Sequence, residues 1–220
     1  MSQGAAAADG DIAGQVQDEL NWAPDVDSGR VAVSIADGIL TLSGAVATHA
    51  EKLAAERCAL RVRGVRSVRD ELSVDAPPAD DPAIREAVRQ SLEWHTAFTT
   101  PIHVDVTDGH VVLTGDVPWD HQRQAAEHIA ANVSGVRSVD NRIELTRRPS
   151  AADTAERIHN ALLRQALLAT RSIRVETDGT RVILHGRVAS WLERAHAAKA
   201  AWASPHVTDV DNRIVVEGER

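Results

Sequence analysis

The sequence predicts an α+β protein made of three tandem αββαβ units, each a three-stranded sheet with two helices on one face. Three observations carry this expectation. A segment repeats at a step of 71 residues: Val65-Arg66-Ser67-Val68 recurs as Val136-Arg137-Ser138-Val139 and, more loosely, as Val207-Thr208-Asp209-Val210. Inside each repeat, short runs alternate apolar and polar residues, as half-buried strands do. Ahead of those runs, apolar residues recur every four positions, which places them on one face of a helix.

Copy two shows each element in order. Asp81-Pro82 is expected to open a helix, with Asp as the cap and Pro at the first helical position. Ile84, Val88 and Leu92 share one face of it. Ile102, Val104 and Val106 alternate with His103, Asp105 and Thr107 and predict a strand. Thr107-Asp108-Gly109-His110 reads as a tight hairpin, because Asp-Gly tolerates positive φ at both central positions. Val111–Thr114 returns as a second strand, which Gly115 is expected to break. Pro118–Val133 reads as a second helix, stopped by Ser134-Gly135. A last strand spans Val139–Leu145.

The other copies follow the same order. Gly44, Gly115 and Gly186 keep the step and are each followed two residues later by a valine. Asp37-Gly38, Asp108-Gly109 and Asp178-Gly179 mark the hairpins, with one extra residue, Thr180, expected after the third. Ile12, Val16, Leu20 and Trp22 match Ile84, Val88, Leu92 and Trp94 at a step of 72. The expected organisation is a disordered leader over 1–10 and units at 11–76, 80–147 and 151–218. Proline-bearing linkers separate the units and are too short to let them drift apart. One sheet face in each unit stays polar and open, carrying Ala32 and Ser34, His103 and Asp105, or Arg174 and Glu176.

Composition bounds the function. Of 220 residues, 43% are hydrophobic and only 3% aromatic, so the core must be built from Val, Ile, Leu and Ala. The formal charge of −8 argues against nucleic acid as a partner, since phosphate-backbone binding needs a basic surplus. A single cysteine, Cys58, excludes an internal disulfide framework and a Cys-based zinc cluster. No apolar run approaches the ~18 residues of a transmembrane segment. The first ten residues carry no basic residue and no secretory h-region. The expected address is therefore cytoplasmic, with the periplasm as the alternative for a chain whose signal has been removed.

The pattern Gly-x-Val, an Ala-rich helix, then Gly-Val-x-x-Val-x-Asn-x-Ile/Leu resembles the BON domain family (bacterial OsmY and nodulation). Copy two carries it best, with Gly115-Asp116-Val117 and Gly135-Val136-Arg137-Ser138-Val139-Asp140-Asn141-Arg142-Ile143. Copy three keeps Asn212 but has Pro205-His206 where the helix-ending glycine falls, and copy one places Asp70 near the Asn position. The structural motif is thus Gly44, Gly115, Gly186, Gly64, Gly135, Asn141 and Asn212. The resemblance implies a non-enzymatic, bacterial, stress-related binding module without cofactors, attaching to phospholipid surfaces. A protein-binding scaffold or chaperone-like adaptor, and a small-cation sensor, are the alternatives.

Other constellations bear on chemistry. The glycines lack any Gly-x-Gly-x-x-Gly or Gly-Lys-Ser/Thr pattern and read as backbone sites. His103, Asp105 and His110 share the open face of copy two and could suit a divalent ion, but the other copies do not repeat them. His121 and His128 read as solvated. Cys58 aligns with Ile129 and Ala200 and reads as a small core residue. Arg57, Arg61, Arg63, Arg66 and Arg69 form the candidate phosphate-binding group, because guanidinium groups grip phosphate bidentately. The plainer reading pairs them with neighbouring carboxylates. The tryptophans Trp22, Trp94, Trp119, Trp191 and Trp202 are expected chiefly at contacts between copies, with a membrane interface as the alternative.

Overall fold

The structure is a computed structural model and describes residues 2–36, 38–75, 80–95, 98, 100–146, 154–156, 158, 160, 173–204 and 206–216. Three separate three-stranded sheets follow one another along the chain. Copy one runs α1 (Ser2–Trp22), β1 (Val31–Ala36), β2 (Ile39–Val46), α2 (His49–Arg61) and β3 (Ser67–Val74). Copy two runs α3 (Asp81–Glu93), β4 (His103–Thr107), β5 (His110–Val117), α4 (Asp120–Ala131) and β6 (Ser138–Leu145). Copy three runs β7 (Ile173–Asp178), β8 (Arg181–Val188), α5 (Trp191–Trp202) and β9 (Asp209–Val216), preceded by helical residues at 154–156, 158 and 160. The chain divides into two compact units, one holding 1–117 and 121–144, the other 118–120 and 145–220.

Within each sheet the middle strand is the second in sequence. β1 and β2 form an antiparallel hairpin, and β2 and β3 pair in parallel, as do β8 and β9. A parallel pair needs a crossover, and α2 and α5 supply it. The apolar partners of the register, Val33 with Leu42 and Ile35 with Leu40, face the helices. The opposite face is open: Ala32, Ser34, His103, Asp105, Arg174 and Glu176 are all exposed, as the alternation requires.

The core of copy one gathers Val16 and Leu20 of α1, Leu40, Leu42 and Val46 of β2, and Ala55 and Ala59 of α2, all fully buried. Copy two buries Ile84, Val88 and Leu92 of α3 with Val111, Leu113 and Val117. Copy three buries Ile158, Val182, Leu184, Ala197 and Ala201. The crossover helices present alanines to the sheet, so their axes can lie close to it. Capping fixes where they begin: the Thr48 hydroxyl accepts from the Glu51 N–H while the Glu51 carboxylate accepts from the Ala47 N–H, and Ser190 with Glu193 and Ala189 repeats the arrangement.

Several expectations shift. α1 begins at Ser2, ahead of the first apolar position of its stripe, Ile12; an alanine-rich stretch has the highest intrinsic helix propensity. The cap of α3 is Asp80, whose carboxylate accepts from the Ala83 N–H at 3.1 Å. Asp81 is thereby free to accept from the Asp108 and Gly109 N–H groups at 2.8 and 2.9 Å, tying the helix to the hairpin. Gly115 does not break its strand, nor does Gly44: β2 and β5 run through both. Gly44 has φ +126°, and a Cβ there would stand 2.1 Å from the Arg30 carbonyl oxygen, so the strand passes its neighbour only as glycine. Thr180 is not an insertion. Asp178 pairs with Arg181, so the third hairpin turns on Gly179-Thr180 and has the same length as the one closed by Thr107 and His110.

Candidate functional site

Each copy carries a polar clamp between its last strand and its crossover helix. The Asn141 amide donates to the Arg123 carbonyl at 2.9 Å and to the Glu127 carboxylate at 3.2 Å, while its oxygen accepts from the Ile143 N–H. Asn212 repeats this with the Arg194 carbonyl and the Ile214 N–H. The Arg194 guanidinium closes the circuit on the Ile214 and Asn212 carbonyls. Copy one has Asp70, which cannot donate. Lys52, at the position of Arg123 and Arg194, substitutes: its ammonium bridges the Asp70 carboxylate at 3.2 Å and donates to the Leu72 carbonyl at 2.6 Å. The asparagine is therefore a fastening, and the chemistry it performs is structural.

The structure separates the five arginines. Arg57 and Arg61 stand on the solvent side of α2, one turn apart, and line a cleft against the end of α1. Arg63 is exposed in the turn that follows. Arg66 lies along Gly38, and its N–H donates to the Gly38 carbonyl at 2.8 Å. Arg69 pairs with Thr41 on the open face of the sheet, away from the helices. Arg57 and Arg61 line one cavity together.

The histidine and aspartate of copy two do lie on the open face, but spread along it. His103 stands opposite Thr114 and His110 opposite Thr107, four residues along the strand, or about 13 Å. The His110 Nδ1 meets the Ser138 hydroxyl at 2.5 Å. Among the described residues no three His, Cys, Asp or Glu side chains are placed to hold a metal ion. Cys58 is buried in the core of copy one, and burial pushes its thiol pKa up. His49 is drawn down, first by burial and then by Lys52, with Glu127 and Asp70 opposing.

Trp22 and Trp94 depart from the expectation of contacts between copies. Trp22 is 87% exposed and Trp94 88%. Each lies two residues past the last buried position of its helix, Leu20 or Leu92, which turns it about 200° away from the sheet. Trp191 and Trp202 pack instead on the core of copy three itself, where the Arg194 guanidinium stands 5.1 Å from the Trp191 ring centre. Sequence pattern alone held this signal, since the apolar stripe at i, i+4, i+8 leaves position i+10 outside it.

The family model described as BON domain matches three times, at residues 8–76, 80–147 and 150–218. The chain belongs to the BON domain family. Its copies are the αββαβ units just described, and the motif glycines and asparagines are their strand crossings, helix stops and clamps. Osmotically-inducible protein Y of Escherichia coli (strain K12) is 32% identical over 141 residues, covering 60% of this chain and 70% of that protein. Among solved structures, the C-terminal domain of CdsD, a structural protein of the type III secretion system of Chlamydia trachomatis, aligns over 94% of this chain and 97% of its own at 16% identity and a TM-score of 0.27. A TM-score of that size does not establish a shared arrangement. No helix among the described residues is long and apolar enough to cross a membrane.

Proposed function

We propose that this BON protein is a non-enzymatic module of bacterial osmotic or envelope stress that attaches to phospholipid surfaces through its first two copies. The observation that carries the reading is the pair of bare indoles, Trp22 and Trp94, at equivalent ends of α1 and α3. A large apolar side chain left in water costs free energy, and an indole is suited to the lipid headgroup boundary because its ring is apolar and its N–H stays wet. Two copies of a weak anchor act together on one surface. The family membership and the osmotically inducible relative support the stress setting.

Flotation with vesicles of phosphatidylethanolamine and phosphatidylglycerol tests it. Full burial of a large apolar side chain contributes about 1.5–3 kcal/mol, and each ~1.4 kcal/mol is tenfold in partition. The double substitution W22A/W94A should therefore lower binding at least about tenfold. Wild-type protein that fails to float with any lipid mixture overturns the reading and favours a protein-binding adaptor, for which exposed tryptophans are also apt.

A further inference from the structure

The cleft between the end of α1 and the outer side of α2 has a volume of about 250 Å³. That is below the ~300–1,000 Å³ typical of sites for drug-sized ligands, so it suits a small polar group. Its wall is of two signs. Arg57 and Arg61 come from α2, Glu19 from the last turn of α1, and Asp25 from the loop that follows; Trp22 stands at the rim and Cys58 at the floor. No hydrogen bond or ion pair joins these four charged side chains to any partner among the described residues. All four act electrostatically on the Cys58 thiol, so their fields meet at one point.

Each charge sits where a ligand of opposite sign would relieve it. Arg57 and Arg61 are one turn apart on a helix, a like-charged spacing that is unfavourable without an anion between them. Guanidinium groups at that spacing suit a phosphate. Glu19 and Asp25 flank the C-terminal end of α1, whose last turn holds no basic residue and whose dipole favours a cation. An indole beside that end adds a face for an ammonium group. We infer that copy one holds a phosphate–ammonium zwitterion, of the phosphoethanolamine or phosphocholine kind, with its phosphate on Arg57 and Arg61 and its ammonium between Glu19, Asp25 and Trp22.

Copy two is the internal control. Its Trp94 is as exposed as Trp22, but His128 and Asn132 replace the two arginines and hydrogen-bond to each other. Copy three has Lys199 and Ala203 at those positions. The zwitterion site therefore belongs to copy one alone. The choice of a headgroup-like ligand rests on the surface-attachment reading; the charge pattern does not.

The test is titration of the full chain, labelled on its indole nitrogens, with soluble phosphoethanolamine and separately with inorganic phosphate. Phosphoethanolamine should shift the Trp22 indole resonance and leave that of Trp94 in place. R57Q/R61Q should weaken both ligands about tenfold or more. E19Q/D25N should weaken phosphoethanolamine by a similar factor but strengthen phosphate, because two repelling carboxylates are gone. All four positions are exposed, and circular dichroism checks that the variants keep the fold. No shift at millimolar phosphoethanolamine, or an E19Q/D25N variant that binds phosphoethanolamine as well as the parent, overturns the inference. A parallel vesicle arm separates the sources: tighter binding to phosphatidylethanolamine vesicles than to the soluble headgroup assigns the site to lipid, equal binding to a free solute. Vesicle binding that survives R57Q/R61Q and is lost in W22A/W94A keeps the attachment reading when the cleft proves empty of function.

Discussion

Exchanging the clamp residue between copies tests how each sheet is fastened to its crossover helix. In Asn141→Asp, copy two receives the residue that copy one carries naturally, without the lysine that accompanies it there. Two donor bonds disappear, to the Arg123 carbonyl and to the Glu127 carboxylate, and a second negative charge now faces Glu127 within hydrogen-bond distance. Each lost hydrogen bond costs about 0.5–1.5 kcal/mol, so the loss is about 1–3 kcal/mol before any repulsion. In a domain of 60–100 residues each kcal/mol moves the midpoint by about 4–8 °C. The copy-two transition should therefore fall by about 5–20 °C at neutral pH. Asp70→Asn loses the ion pair with Lys52, but the ammonium keeps the Leu72 carbonyl and the new amide keeps the acceptor for the Leu72 N–H and gains a donor toward the helix, so its loss should be smaller. The assay is thermal unfolding followed by calorimetry, with amide exchange to locate the transition. An Asn141→Asp midpoint within about 2 °C of the parent, or an Asp70→Asn loss as large, refutes the clamp.

Three further outcomes follow from the geometry. Gly44→Ala should destabilise copy one by more than about 1–3 kcal/mol, the range for a strained backbone site, because its Cβ would meet the Arg30 carbonyl oxygen; unchanged urea unfolding would contradict it. The Cys58 thiol, buried and held above its ordinary pKa, should react with a disulfide reagent far more slowly in the native protein than in urea, and equal rates would count against its burial. Backbone N–H groups of Gly109 and Asp108 hold the Asp81 carboxyl below its ordinary range. Its contribution to stability is thus complete above the unfolded pKa of about 3.9 and fades as pH falls through the lower folded value. Asp81→Asn should flatten that acid limb of the stability profile, and an unaltered limb would exclude the role.

The repeat, the strand alternation and the helix stripes were legible because side-chain burial imposes periods of 2 and 3.6 on the sequence. The parallel pairing of β2 with β3 was not, since a buried strand shows the same alternation whichever way it runs. Glycine read as a strand break because its freedom suits both an end and a crossing; only the approach of the Arg30 carbonyl tells them apart. Asn141 was visible as a motif, yet its role depends on a helix carbonyl eighteen residues away, a contact no local pattern encodes. On chemistry alone Trp22 suits a contact between copies; its angle about the helix axis is the discriminating information. Of the five arginines, spacing along the chain suggested one group, whereas α2 and β3 place Arg57 and Arg61 apart from Arg69.

Quenching of tryptophan emission by vesicles with brominated acyl chains tests surface attachment most directly. In variants that retain a single indole, Trp22 and Trp94 should shift to shorter wavelength and be quenched, while Trp191 and Trp202, packed on their own core, should be unaffected. Emission from Trp22 and Trp94 that stays unshifted and unquenched at saturating lipid would contradict the account.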